Sequence, residues 1–123
     1  MTTLGDIMAT DLIVVGPAAT VAEAATVMGQ RSAGSALVMD GERLLGIFTE
    51  RDVVRALGQQ FDAAGLGVSE WMTADPMTVE PDTSVSDALR TMLDRGFRHL
   101  PVAKDGKVVG IVSIRDLSAA TEG

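Results

Sequence analysis

Two segments of the chain place a glycine, a hydroxyl residue and an aspartate at the same spacing. They comprise Gly46, Thr49 and Asp52 in the first segment, and Gly110, Ser113 and Asp116 in the second. Each segment joins an apolar, strand-like run to a helical pattern, and the backbone N–H groups at a helix N-terminus can hold a phosphate. The hydroxyl can donate to that phosphate, and the carboxylate can accept both hydrogens of a cis-diol such as that of ribose.

The same residue types also start a helix without any ligand. A Thr or Ser at the N-cap and an acid three residues later satisfy unpaired N–H groups, and negative charge suits the N-terminal helix dipole. One copy of so short a motif is weakly specific. Its presence in both halves, in register with the rest of the chain, favours the functional interpretation, and both interpretations stay open at this stage.

An internal repeat relates the two halves of the chain. Residues of the first half recur about 64 positions later without gaps, which fixes the architecture. The matched pairs include Met8 and Met72, Asp11 and Asp75, Pro17 and Pro81, Val21 and Val85, Met28 and Met92, and Val38 and Val102. We predict one repeat over residues 1–58, a linker over 59–67 and a second repeat over 68–123. Because each repeat alone is short for a stable domain, we expect one compact module with a shared core, into which Met28, Met92 and Trp71 pack.

Each repeat is predicted to run strand, helix, strand, strand, helix, which is an α/β (α+β) fold with pseudo-two-fold symmetry. In the first repeat the strands are expected at residues 12–15, 36–39 and 44–48. Helices are expected from the capping-box pattern at 20–23 and from Thr49 to about Gly58. The second repeat copies this order, with strands at 77–79, 100–103 and 108–112 and helices from Ser84 and Ser113. Pro101 inside a strand indicates a sheet edge or a strand end.

Composition excludes several classes of function. The chain has no Cys and one His, so disulfides, thiolate chemistry and multi-histidine metal centres are excluded, and no metal site is expected. The net charge of −7 disfavours nucleic acid and anionic membranes as partners. No apolar run is long enough to span a bilayer and no secretion signal is visible, so a cytoplasmic protein is expected.

The residues around these motifs resemble a known family. The segment from Trp71 to Pro76, the strand from Arg98 to Val102 and the two Gly-x-x-Thr/Ser-x-x-Asp motifs are similar to those of tandem cystathionine-β-synthase-type (CBS) domains, also called a Bateman module. The resemblance covers essentially the whole chain. It implies two clefts between the repeats, a homodimer, and binding of an adenosyl ligand such as AMP, ADP, ATP, NAD or S-adenosylmethionine. It also implies a sensor that requires no cofactor, rather than an enzyme.

The resemblance assigns roles to individual residues. Asp52 and Asp116 match the ribose-binding acid, Gly46 and Gly110 the motif glycine, and Thr49 and Ser113 the phosphate-contacting hydroxyl. Further phosphate contacts are expected from Arg51, Arg115, Arg98 and His99. The adenine is expected against Leu12, Ile13, Ala36, Leu37 and Val38 in one cleft, and against Pro76, Met77, Leu100, Pro101 and Val102 in the other.

The two clefts are expected to be unequal. The phosphate tail held from Asp52 would meet Arg98 and His99, whereas the tail held from Asp116 would meet the uncharged Gly34 and Ser35. We therefore expect the Asp52 site to prefer the more highly phosphorylated ligand.

A second hypothesis has no ligand at all. In it the aspartates only cap helices, and the chain serves as a dimerisation or protein-interaction module. An enzyme is disfavoured because the sequence shows no nucleophile–base set.

Overall fold

A computed structural model describes residues 1–122, with side chains through Thr121, so Gly123 at the end of the second repeat lies outside the described residues. The helices are α1 (Leu4–Ile7), α2 (Val21–Gln30), α3 (Glu50–Gln59), α4 (Val85–Arg95) and α5 (Ile114–Glu122). The strands are β1 (Val14–Val15), β2 (Ser35–Asp40), β3 (Arg43–Thr49), β4 (Thr73–Ala74), β5 (His99–Lys104) and β6 (Lys107–Ser113). Short 3₁₀ turns lie at Ala63–Gly65 and Val68–Glu70. None of the described helices has the length and apolar character needed to cross a bilayer.

Local capping signals place the helices where the sequence predicts them. The Thr20 hydroxyl accepts from the Glu23 amide, and the Glu23 side chain accepts from the Thr20 amide in return. Thr49 begins α3 with the same reciprocal pattern, and the Ser84 hydroxyl accepts from the Asp87 amide at the start of α4. At the end of α4, Gly96 adopts a left-handed conformation with φ of 74°, which glycine tolerates at a helix C-terminus.

The chain folds into two compact units, each made largely from one repeat. One unit is Ile13–Pro76, and the other combines Met1–Leu12 with Met77–Gly123. The first twelve residues, which the sequence assigns to the first repeat, therefore pack with the second. The segment from Val68 to Pro76, which opens the second repeat, packs with the first in the same way.

The unit Ile13–Pro76 contains a four-stranded sheet in the order β1-β2-β3-β4. β1 runs parallel to β2, while β3 is antiparallel to both β2 and β4. A cluster of buried side chains packs beneath it, comprising Val15, Val21, Ala24, Met28, Ala36, Val38, Phe48, Ala56, Ala63, Val68 and Trp71. Ala63 lies in the predicted linker and Trp71 in the second repeat, so this core draws on more than the first repeat.

The unit containing the second repeat has the same pairing with fewer regular strands. β5 and β6 form an antiparallel pair, Ala9 bridges to Ile111, and Val79 bridges in parallel to Val102. Its core cluster comprises Leu4, Val85, Ala88, Met92, Leu100, Val102, Val112 and Leu117. Met28, Met92 and Trp71 are buried as predicted, but not in one shared cluster: Met28 and Trp71 belong to the cluster of the unit Ile13–Pro76, and Met92 belongs to this one.

A proline explains why the strand predicted at residues 77–79 is reduced to a single bridge. In the first unit the Leu37 amide donates to the Ile13 carbonyl at 2.8 Å, which fastens β1 to β2. Pro101 occupies the position equivalent to Leu37 and has no N–H to donate. Only the flanking bonds form, from the Val79 amide to the Pro101 carbonyl and from the Ala103 amide to the Val79 carbonyl. Pro101 thus lies in the middle of β5. The backbone position that lacks an N–H is on the outer side of the β5-β6 pair.

Candidate functional site

The Asp52 carboxylate lies one turn inside α3, at the junction of that helix with β3. Its Oδ2 atom accepts from the Thr49 amide at 2.9 Å and from the Thr49 hydroxyl at 3.1 Å. The Thr49 hydroxyl accepts in turn from the Asp52 amide at 3.3 Å. Asp52 is only 7% exposed. The capping interpretation of the motif is therefore realised in the structure, and the Thr49 hydroxyl already donates within the protein.

The Asp116 carboxylate lies at the equivalent junction of β6 and α5 but in a more open setting. The Ser113 amide donates to its Oδ2 atom at 3.2 Å, and the Ser113 hydroxyl accepts from the Asp116 amide at 3.1 Å. Asp116 is exposed, and its Oδ1 atom takes no part in these capping bonds. A carboxylate oxygen in this position can accept from the hydroxyl groups of a ligand.

The first turns of α3 and α5 offer a phosphate fewer free amide donors than the sequence suggests. The Glu50 amide donates to the Gly34 carbonyl at 3.0 Å, and the Ile114 amide donates to the Arg98 carbonyl at 2.8 Å. The Asp52 and Asp116 amides are taken up by the capping hydroxyls. A phosphate at either helix N-terminus is left with the second-position amides, those of Arg51 and Arg115, which the capping bonds do not use.

An arginine that the sequence analysis did not single out holds Asp52 from the other side. Arg55 Nη2 lies 3.2 Å from Asp52 Oδ1 and donates to the Trp71 carbonyl at 2.8 Å. Its guanidinium carbon lies 5.3 Å from the centroid of the Trp71 ring, which is cation–π distance. The second repeat has Ala119 at the equivalent position, so no arginine stands three residues after Asp116. The sequence does contain a signal for this contact, since an arginine three residues after an aspartate on a helix lies beside it.

The motif glycines accommodate a methionine. A Cβ atom on Gly46 would lie 2.4 Å from Met72 Sδ and 2.9 Å from the Thr73 carbonyl oxygen. A Cβ atom on Gly110 would lie 2.4 Å from Met8 Sδ and 3.1 Å from the Ala9 carbonyl oxygen. These glycines therefore let the opening segment of each repeat lie flat on a strand of the other repeat, β3 or β6.

The residues predicted to contact adenine divide between the cores and the strand surfaces. The Ala36 and Val38 side chains lie in one core cluster, and those of Leu100 and Val102 in the other, so any ligand contact from them is through the backbone. Leu37 and Pro101 belong to neither cluster; side chains alternate along a strand, so these two point to the opposite face. Leu12, Ile13 and Pro76 are half-buried, and Met77 is exposed.

The remaining predicted phosphate contacts lie at the start of β5 and in the first turns of α3 and α5. Arg51, Arg115 and Arg98 are exposed, whereas His99 is half-buried. His99 pairs directly with Ser113 across the β5-β6 ladder. Directly opposed residues of an antiparallel pair project from the same face, so the structure brings His99 beside the hydroxyl of the Asp116 motif.

Comparison with protein families identifies the repeat. The model of the CBS domain matches the chain twice, over residues 4–59 and 68–123. The chain belongs to the CBS-domain family. The resemblance drawn from the motifs is thus confirmed, and the chain is a tandem CBS pair.

Relatives of this CBS pair are known by sequence and by structure. It is 47% identical over 122 residues to an uncharacterized 17.7 kDa protein of Acidianus ambivalens, covering 97% of this chain and 73% of that protein. It superposes on the CBS domain pair of MJ0100, solved in complex with 5'-methylthioadenosine and S-adenosyl-L-methionine, with a TM-score of 0.91, 27% identity and coverage of 100% of this chain and 98% of that one. It also superposes on CBSX2 of Arabidopsis thaliana, solved in complex with AMP, with a TM-score of 0.83, 28% identity and coverage of 99% and 97%. The predicted CBS-pair fold is confirmed by these matches.

Proposed function

We propose that this CBS pair is a regulatory module that reversibly binds an adenosyl ligand through the carboxylates of Asp52 and Asp116. The observation that carries the proposal is the exposed Asp116 carboxylate at a strand–helix junction, with Oδ1 outside the capping bonds. The complexes of MJ0100 with 5'-methylthioadenosine and S-adenosyl-L-methionine and of CBSX2 with AMP support adenosine as the common part of the ligand. AMP, ADP, ATP, NAD and S-adenosylmethionine are all candidates.

The proposed mechanism is differential affinity rather than catalysis. A ligand that binds one arrangement of the protein more tightly than another shifts the population toward it. The module needs no resident cofactor for this, and we propose that it acts as a homodimer in the cytoplasm without nucleic acid or membrane. The assignment of Arg98 and His99 to the nucleotide held by Asp52 stays a prediction, as does the preference of that site for more phosphates.

Calorimetric titration of the Asp52→Ala and Asp116→Ala variants with AMP and ATP tests the proposal. Each charged hydrogen bond lost contributes about 1.5–3 kcal/mol, which corresponds to about ten- to a hundredfold weaker binding at the altered site. Asp6→Ala is the matched control, because Asp6 accepts from the Thr3 amide and hydroxyl at the same 2.9 and 3.1 Å as Asp52 does from Thr49. It removes a capping carboxylate without touching a proposed site. Folded Asp52→Ala and Asp116→Ala proteins that bind as tightly as the parent would refute the assignment.

A ligand-free interaction module is the second candidate function, and a surface feature favours it. Val54 and Leu57 lie three residues apart on α3 and are 71% and 46% exposed, and Phe61 just after the helix is 94% exposed. Apolar side chains grouped in this way are typical of protein contact surfaces. Thermal melting with the five adenosyl compounds separates the two functions, since a ligand of the native state raises the midpoint. A flat response to all five, together with a dimer that Phe61→Ser disrupts, supports the interaction module.

A further inference from the structure

One guanidinium nitrogen joins the Asp52 carboxylate to the start of the second repeat. Arg55 Nη2 donates both to Asp52 Oδ1 and to the backbone carbonyl of Trp71. Trp71 is followed two residues later by β4, which pairs with β3. A change in how Arg55 binds Asp52 therefore acts on the segment that closes the edge of the first unit's sheet.

Packing and the contact with Arg55 hold the Trp71 side chain in its position. It is 7% exposed, and its buried indole Nε1 has no acceptor within hydrogen-bonding distance among the described residues. Among the described residues, the Trp71 side chain therefore makes its polar contact with the Arg55 guanidinium, which lies over the indole ring. The second repeat has Ile7 in place of Trp71 and Ala119 in place of Arg55, so this connection exists only at the Asp52 motif.

We propose that Arg55 is a positioning residue that couples the state of the Asp52 carboxylate to Trp71. When the two hydroxyl donors of a diol engage Asp52, they compete with Arg55 for Oδ1, because Oδ2 already accepts two bonds from Thr49 and each carboxylate oxygen accepts about two. The guanidinium then shifts over the indole, and the hold on the Trp71 carbonyl changes with it. The Asp52 site thereby reports occupancy to the 71–74 segment, whereas the Asp116 site does not. The ligand part of this inference rests on the proposed function, but the coupling itself does not.

Trp71 is the only tryptophan of the chain, and the chain has no tyrosine, so its emission reads the coupling directly. The first experiment needs no ligand and compares the parent with Asp52→Asn, Arg55→Ala and the double variant. We expect Asp52→Asn to shift the emission maximum in the parent background and to leave it unchanged in the Arg55→Ala background. The unfolding equilibrium constants should also be non-additive, by up to about fivefold, as for a partly exposed ion pair between residues in contact. Asp116→Asn is the mirror control and should leave the emission unchanged. Equal shifts in both backgrounds, or no shift in either, would overturn the coupling.

The second experiment adds AMP to the Asp116→Ala background and records calorimetric binding and emission in parallel. We expect AMP to shift the emission when Arg55 is present and to bind without that shift when Arg55 is replaced by Ala. Arg55→Lys should restore part of the shift, because an ammonium can reach the carboxylate but lacks the planar guanidinium that lies over the Trp71 ring. An undiminished shift in Arg55→Ala would overturn the inference. Absence of any calorimetric binding in the parent would count against the proposed function instead, while the ligand-free experiment still decides the coupling.

Discussion

At the scale of single residues, the two motif carboxylates differ although their motifs match. Both cap a helix through a hydroxyl residue three positions earlier. What separates them is the residue three positions later, which is Arg55 in one copy and Ala119 in the other. Arg55 is 47% exposed, and such a partly exposed ion pair contributes at most about 1 kcal/mol to stability. Its consequence is therefore orientation of Asp52 rather than added stability.

The capping carboxylate of α1 gives a prediction for pH dependence. The Thr3 amide, and then its hydroxyl, donate to Asp6 and lower the pKa of that carboxyl below its ordinary value. A carboxyl with a depressed pKa contributes stability above its unfolded-state pKa and loses that contribution as the pH falls through the folded-state pKa. We expect the Asp6→Asn variant to show a shallower loss of stability on acidification below about pH 4 than the parent. Denaturation curves at several pH values and an NMR titration of the Asp6 carboxyl measure this. A parallel loss in parent and variant would contradict it.

At the scale of elements, β3 and β6 each carry a glycine that lets a methionine from a distant segment pack against the strand. Gly46 lies under Met72 and Gly110 under Met8, and both glycines are buried. The contacts need a residue without a side chain on the strand and a flexible, apolar side chain above it. The glycine of the Gly-x-x-Thr/Ser-x-x-Asp motif thus has a packing role that is independent of any ligand.

Adding a methyl group at these glycines should destabilise the protein unequally. Overpacking a close contact costs about 1–3 kcal/mol. Gly46→Ala should lie at the upper end, because its Cβ would also meet the rigid Thr73 carbonyl at 2.9 Å, whereas the Ala9 carbonyl lies 3.1 Å from the corresponding Cβ on Gly110. Chemical denaturation measures both values.

The matched control for these substitutions is Gly29→Ala. Gly29 lies inside α2, and a methyl group added to it would meet nothing within 4 Å, so alanine should stabilise the helix by about 0.5–1 kcal/mol. A Gly110→Ala variant that loses more stability than Gly46→Ala would contradict the packing argument.

Local signals explain which elements could be predicted from the sequence. The capping box at Thr20 and the turn glycines Gly41 and Gly106, with φ of 61° and 80°, act within a few residues, so the helices and the strands on either side of these turns are predicted near their observed bounds. The repeat also placed both motifs at strand–helix junctions. The Met8–Gly110 contact joins residues far apart in sequence, and periodicity carries no information about such pairs. Trp71 was predicted to pack, but its link to Asp52 depends on the rotamer of Arg55, which no local pattern specifies.

At the scale of the whole molecule, the sequence repeats and the compact units do not coincide. Leu4 belongs to the first repeat but lies in the core cluster of the unit that holds the second repeat. Val68, its equivalent in the second repeat, lies in the core cluster of the unit Ile13–Pro76. Each repeat therefore supplies its opening segment to the other's core, and neither repeat alone contains a complete set of core residues.

This exchange predicts where the effects of a core substitution appear. Leu4 and Val68 are both 0% exposed, which makes them a matched pair. Leu4→Ala should cost about 2–5 kcal/mol, and Val68→Ala somewhat less because fewer carbon atoms are removed. Under native conditions we expect Leu4→Ala to accelerate amide exchange in α4 and β6 while α2 and β2 keep their protection, since sub-global openings follow cooperative units. Val68→Ala should show the reverse pattern, and hydrogen exchange read by mass spectrometry measures both. Acceleration that follows the sequence repeats, with Leu4→Ala exposing α2 and β2 first, would contradict it, because a core residue protects the unit whose core it fills.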